Sequence, residues 1–293
     1  MPDTSVTTTE PARAPRRGTQ TVLEVVGVER LSPRLVRIHL GGEGFDAFLA
    51  GADPDKLAKT DKYVKMLFAK PALGLQPPYD LDALRATLEP DDMPVRRTYT
   101  IRSIDTAARS LAIDFVVHGD EGMAGPWAAA AQVGDTVCFS GPGAQFSPAD
   151  GDVEHLFIGD DSAIPAIDAA LEALAPTARG LALIEVGDAA EQIALAAPAG
   201  VEVRWLHRNA DGRTAPYGQV LVDAVRALPV PTGPVEVFAH GEREAMKQLR
   251  GLLQGEWGIG RRDMSLSAYW AHGRTEDRFQ SEKREPVGQI FED

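Results

Sequence analysis

Three arginines stand within seven residues in Arg96-Arg-Thr-Tyr-Thr-Ile-Arg102, and no carboxylate lies between Asp92 and Asp105. A guanidinium donates bidentately to phosphate, and a tyrosine ring offers a flat stacking surface. Strand alternation puts Arg97, Tyr99 and Ile101 on one face and Thr98, Thr100 and Arg102 on the other. The first face thereby sets a phosphate donor beside a ring shelf. The competing reading is a solvated strand edge with a half-buried tyrosine.

Two further segments carry similar chemistry. Asp114-Phe-Val-Val-His118-Gly119 followed by Gly122-Met-Ala-Gly-Pro-Trp127-Ala128 reads as an apolar strand, a glycine-rich turn and an alanine-rich helix through Ala131. Free N–H groups at such a helix start attract an anion such as a pyrophosphate. The plainer alternative has the glycines serving the turn and Trp127 serving the core. Ile158-Gly-Asp-Asp-Ser-Ala-Ile-Pro165 forms the first strand-to-helix turn of a later α/β half, where an open parallel sheet receives a dinucleotide. It matches neither G-x-G-x-x-G nor a Walker loop, and Asp160 or Asp161 could equally cap the helix. His207-Arg208 could meet a nucleotide phosphate or form a surface turn, while Glu185 could accept from a ribose hydroxyl. Cys138, between Val137 and Phe139, reads as a buried structural thiol. The six histidines lack ligand spacing, so no protein-held metal is expected.

These segments need elements to hold them. Runs at 21–29, 34–40, 62–68, 97–103, 111–117 and 136–139 have strand chemistry with turns between them, which predicts a small antiparallel β-barrel. From residue 153 the rhythm changes. Short apolar strands at 155–159, 181–186, 201–206 and 235–239 alternate with helical patterns at 163–174, 219–228 and 242–254, which predicts a parallel α/β sheet. The expected organisation is a disordered arm at 1–19, a barrel domain at 20–148, an α/β domain at 153–271 and a C-terminal tail at 272–293.

Composition narrows the class. The chain has 293 residues, 44% of them hydrophobic, and a formal net charge of −13. That balance disfavours nucleic acid and anionic membranes as partners. No run approaches the ~18 apolar residues of a membrane span. The first 18 residues lack the apolar core of a secretory signal, and one cysteine excludes an internal disulfide. A cytoplasmic location is expected.

In order along the chain, Arg97-x-Tyr99-Thr100 resembles the flavin motif of the ferredoxin-reductase superfamily. The fuller set resembles the siderophore-interacting proteins, which are flavin-dependent ferric-siderophore reductases. It comprises Arg96–Arg102, Asp114–Asp120, Gly159–Ile167, Val203–Arg208, Ala239–Glu242 and Tyr269–Asp277. The resemblance implies FAD in the barrel domain and NADH or NADPH in the α/β domain. Arg97 would hold the pyrophosphate, Tyr99 would stack on the isoalloxazine and Thr100 would hydrogen-bond near N5, with Thr98 beside them. Asp114, Val116, His118, Ala124, Gly125 and Trp127 would complete the FAD site. One departure stands out: many relatives carry Pro-Ala-Ser where this chain has Met123-Ala124-Gly125, so Gly125 would act through its backbone. Gly159, Asp160, Asp161, Ser162, Ala163 and Pro165, with Glu185 and Arg208, would meet the nicotinamide nucleotide.

The tail, dense in mixed charge, reads either as a solvated helix or as a segment folding back toward the flavin. In the second case Arg274, Lys283 and Arg284 would join Lys65 and Arg102 in a basic pocket for an anionic iron chelate. The implied activity is NAD(P)H-dependent reduction of a ferric siderophore with release of Fe(II), by a monomer with Tyr99 and Thr100 nearest the chemistry. Two alternatives remain: a ferredoxin-reductase-like flavoprotein serving a protein electron partner, and a non-catalytic siderophore- or flavin-binding module.

Overall fold

The computed structural model describes residues 19–119 and 122–291. The arm expected at 1–19 lies, except for Thr19, outside the described residues. Two layers of architecture follow one another along the chain.

The first is a closed six-stranded antiparallel barrel. Its strands are β1 Thr21–Ser32, β2 Leu35–Gly41, β3 Tyr63–Phe68, β4 Val95–Asp105, β5 Ser110–Val116 and β6 Thr136–Gly143, in the order β1-β2-β5-β4-β3-β6. Alternating apolar residues supply the interior: Val36, Ile38 and Leu40 from β2, Leu111, Ile113 and Phe115 from β5. Helix α1 (Gly44–Gly51) adds Phe45 and Phe48 to this core, Phe48 meeting Phe139 edge-on at 5.5 Å. The short helices α2 (Pro54–Leu57) and α3 (Leu81–Arg85) ride on connections, each capped by an aspartate side chain. Helix α4 (Ala124–Ala130) follows β5.

The second is a five-stranded parallel sheet in the order β13-β12-β7-β8-β9. Its members are β7 Glu154–Gly159, β8 Arg179–Val186, β9 Val201–His207, β12 Val235–Glu242 and β13 Met264–Trp270; a two-residue pair, β10 Asn209–Ala210 and β11 Arg213–Thr214, forms a separate hairpin. Helix α5 (Ile164–Ala173) covers one face, packing with Phe157, Ile184 and Phe238. Helices α6 (Gln219–Arg226) and α7 (Arg243–Arg250) cover the other. Leu35 and Phe146 of the barrel side join the α5 cluster, so the two layers share apolar contact. Helix α8 (Glu276–Glu282) closes the chain's path, with Phe279 buried.

Two departures from the sequence reading affect function. The strand alternation expected through Arg102 is interrupted, because β4 slips register against β5 between Ile101 and Ser103. Thr100, Ile101 and Arg102 are consequently all buried. Strand β13 was not anticipated, although Met264, Leu266 and Ala268 alternate with serines and are its buried positions.

Candidate active site

Between barrel and sheet lies a cleft of about 1720 Å³. Its barrel wall holds Arg97, Thr98, Tyr99, Thr100, Asp114, Val116, His118, Ala124 and Gly125. The Tyr99 ring rests on Phe115 at 4.3 Å, Phe115 on Trp127 at 5.5 Å and Trp127 on Phe68 at 5.3 Å. Trp127 thus braces the shelf from behind and does not line the cleft. Burial raises the Tyr99 phenol well above its ordinary range. Thr100 faces the Tyr269 hydroxyl, which projects from the sheet side. Asp114 is buried and held bidentately by Arg37 at 2.6 and 2.8 Å, so it fixes β5 to β2. A Cβ on Gly125 would meet only the Val116 carbonyl, at 3.5 Å.

The opposite wall begins at the carboxyl end of β7. Asp161, Ser162 and Pro165 face the cleft. Asp160 points elsewhere and is buried. Its Oδ1 accepts from the Ser162 N–H and hydroxyl at 3.0 and 2.5 Å, its Oδ2 from the Glu242 N–H and the Trp270 indole, both at 2.8 Å. One carboxylate thereby ties together the ends of β7, β12 and β13. Neither aspartate caps α5, whose N-cap is Ala163. Loss of water lifts the Asp161 carboxyl to about 7, the Asp160 charge adding to this while Arg34 and Arg208 oppose it. Gly159 has no room for a side chain: a Cβ would come within 2.6 Å of the Ala163 Cβ and 2.8 Å of Ile167.

Glu185 and Arg208 do not reach the cleft either. They face one another at 3.4 Å, both buried, and the Glu185 Oε1 also accepts from the Gly218 N–H at 2.9 Å. The Arg208 guanidinium lies 4.0 Å over the Tyr217 ring, and Tyr217 does line the cleft. Sequence reasoning gave no role to Tyr217, His240, Tyr269, Trp270 or His272, which all line it. The Ala239–Glu242 and Tyr269–Asp277 segments were the available signal. His240 stacks on Phe238 at 4.0 Å, meets the Ser265 hydroxyl at 2.9 Å and is driven by burial to about 3, so it stays neutral.

The tail folds back over the barrel wall. Glu276, Asp277, Gln280 and Lys283 line the cleft beside Tyr99 and Lys65. Asp277 accepts from both terminal nitrogens of Arg97, at 3.1 and 3.2 Å. Three arginines hold α8 in place by converging on the buried Glu282: Arg243 at 2.6 Å, Arg274 at 2.9 Å and Arg278 at 2.8 Å. The basic pocket expected here is only partly assembled. Lys65 and Lys283 lie within electrostatic reach of each other, and Lys283 is lowered by burial with Lys65 contributing. Arg274 reaches the cleft but is committed to Glu282. Arg284 lies outside the cleft-lining residues. Arg102 is turned by the β4 bulge to the domain junction, meeting Asp168 at 2.5 Å and Glu172 at 2.9 and 2.6 Å, both on α5. Among the described residues, no group of His, Cys, Asp or Glu is arranged to hold a metal ion.

Comparison with known proteins agrees with this division. Residues 24–146 match the model of the siderophore-interacting FAD-binding domain, and residues 153–273 that of the siderophore-interacting protein. Ferric vibriobactin reductase of Vibrio cholerae is 32% identical over 276 residues, covering 92% of this chain and 96% of the relative. The NADPH-dependent ferric-chelate reductase of Escherichia coli is 30% identical over 252 residues, covering 85% and 91%. The crystal structure of a siderophore utilization protein from T. fusca superposes with a TM-score of 0.72 at 35% identity, covering 88% of this chain and 94% of that one. No helix among the described residues is long and apolar enough to cross a membrane.

Proposed function

The chain belongs to the siderophore-interacting protein family, and on that premise we propose that it is an NAD(P)H-dependent ferric-siderophore reductase with FAD against the barrel wall. When bound, the flavin supplies the exchange of a two-electron hydride for the single electrons that ferric iron accepts. The carrying observation is the interdomain cleft itself, which joins the braced Tyr99 shelf to the carboxyl ends of β7, β12 and β13. The residues present suit that cofactor. Arg97 has its guanidinium at the wall, where it donates to the Arg96 carbonyl and to the mostly exposed Asp277 carboxylate, and the open face of Gly125 leaves room for close backbone approach.

In this reading Arg97, helped by Thr98, holds the diphosphate and Tyr99 orients the ring system. Thr100, facing Tyr269, directs its hydroxyl toward N5. Val116, His118, Ala124 and Gly125 line the adenine-diphosphate half, while Asp114 and Trp127 keep that wall rigid. Asp161, Ser162 and Pro165 receive the nicotinamide nucleotide over a turn shaped by Gly159, Asp160 and Ala163. Glu185 and Arg208 act indirectly, by holding Tyr217.

The substrate iron sits in hard oxygen ligands, and reduction to Fe(II) weakens their grip, so no acid–base side chain is required. Lys65 and Lys283 are the cations beside α8 that would meet the chelate. NADPH, named for the E. coli relative, is the first donor to try. The cytoplasm supplies such nucleotides, and a monomer suffices because both walls of the cleft come from one chain. The test is a visible spectrum of FAD-loaded protein under anaerobic conditions. NADPH or NADH is expected to bleach the flavin bands, and a ferric siderophore to restore them with Fe(II) trapped by a ferrous chelator. Bleaching without recovery would point to a protein electron acceptor, and failure to retain flavin would refute the proposal.

A further inference from the structure

The cleft mouth beneath α8 is less positive than its arginines and lysines imply. Arg97 is matched by Asp277 and Arg274 by Glu282. Among the described residues Lys65 and Lys283 are left as the cleft-lining cations near α8 without such a partner, and they are not alone. Glu276, at the start of α8, lines the cleft with them, and its carboxylate is held by a 2.7 Å hydrogen bond from Gln280, itself at the wall. Its field reaches Lys283, Arg97 and the Tyr99 hydroxyl. The anchored helix prevents this acid from swinging away, since Glu282 and three arginines fix α8 one turn and a half further on. Beyond the mouth, the chain as a whole carries a formal charge of −13.

We infer that Glu276 tempers the pull of Lys65 and Lys283 on anionic ferric chelates, and so sets how far the pocket favours a triply anionic triscatecholate over a neutral trihydroxamate. The inference rests on the reductase reading above and specifies its substrate class. A neutral complex enters a nearly balanced mouth at no electrostatic cost. A triply anionic complex gains from two lysines but meets Glu276 at close range and a repulsive field from the rest of the protein. One charge near a trianion at a half-buried, salt-screened site is worth about fivefold in binding.

The test is equilibrium dialysis of the FAD-loaded protein against two probes, the neutral ferric complex of a cyclic trihydroxamate and a ferric triscatecholate, at low and high salt. Glu276→Gln should move the affinity ratio about fivefold toward the triscatecholate. Glu256→Gln, the same change in net charge at an exposed site outside the cleft, should leave the ratio where it was. An unchanged affinity ratio in Glu276→Gln would overturn the inference, as would an equal shift in both variants. Flavin reoxidation separates the two levels. Reoxidation by both chelates with the same ratio in wild type and Glu276→Gln removes only the inference, whereas binding and reoxidation by neither removes the reductase reading with it.

Discussion

Replacing Arg102 by Met should loosen the junction between barrel and sheet, and the size of the effect can be worked out from its neighbours. The guanidinium is 7% exposed, Asp168 6% and Glu172 47%. Deleting one member of a buried ion pair costs about 3–5 kcal/mol, because the other charge stays behind without a partner. Glu172 regains water and adds less than about 1 kcal/mol. Asp168 has an escape by taking up a proton, since burial already raises its carboxyl against the pull of Arg102. The lower end, about 3 kcal/mol, is therefore expected near neutral pH. At roughly 2–4 °C per kcal/mol for a chain of this size, that is a fall of roughly 6–12 °C in thermal midpoint. The pH dependence has a defined sign. An acid whose folded pKa is raised destabilises above that pKa and ceases to do so as pH falls below it. The deficit of the variant should accordingly be larger at pH 8 than at pH 5. Adding Asp168→Leu should recover most of the loss, as an apolar pair replaces a buried ionic one at little cost. A midpoint within 2 °C of wild type, or no recovery in the double variant, would refute the clamp.

Three other outcomes are expected. Arg97→Ala should weaken FAD binding by about 10- to 100-fold, the worth of one charge-assisted contact, whereas Arg96→Ala, at an exposed position outside the cleft, should change it less than about threefold; titration of apoprotein with FAD decides, and equal losses would contradict the assignment. Gly125→Ser meets only the Val116 carbonyl at 3.5 Å, so it should leave the melting temperature in place while raising FAD affinity several-fold through the added hydroxyl. Glu282 is held near about 2 by its hydrogen bonds from Arg243, Arg274 and Arg278. Its contribution to tail docking is complete above the ordinary Glu pKa of about 4.3 and is lost as pH falls through about 2. Amide exchange in α8 should therefore stay slow at pH 5, and Glu282→Gln should make it fast at that pH.

The barrel and the parallel sheet were legible because both faces of their strands obey simple periodicity: Leu35–Gly41 and Ser110–Val116 have interior residues at every second position, and Ile164–Ala173 repeats at helical spacing. Arg97, Tyr99 and Thr100 were legible for the same reason, being local and of unusual composition. What escaped depends on contacts across long stretches of chain. The β4 bulge leaves no mark in the sequence, yet it changes Arg102 from a substrate candidate into a junction residue. Glu185 and Arg208 were each plausible at a nucleotide, and only the pairing of β8 with β9 reveals that they neutralise each other. The tail's acids were visible as charges. Which arginines they meet could not be read, because Arg97 and Asp277 lie 180 residues apart.

The β4 bulge has one more consequence, for how such a protein can be recombined. Within six residues a single strand carries Arg97 and Tyr99 at the cleft wall, Thr100 toward Tyr269 and Arg102 into the acids of α5. The strand that forms the cleft wall thus also helps set the spacing between the two halves. A chimera joining this barrel to another relative's α/β half should dock correctly only if the incoming helix brings carboxylates at the positions of Asp168 and Glu172. Without them the graft would pair two sound domains at the wrong distance. Exchange of whole modules is therefore constrained by two side chains, Asp168 and Glu172, that do not themselves line the cleft.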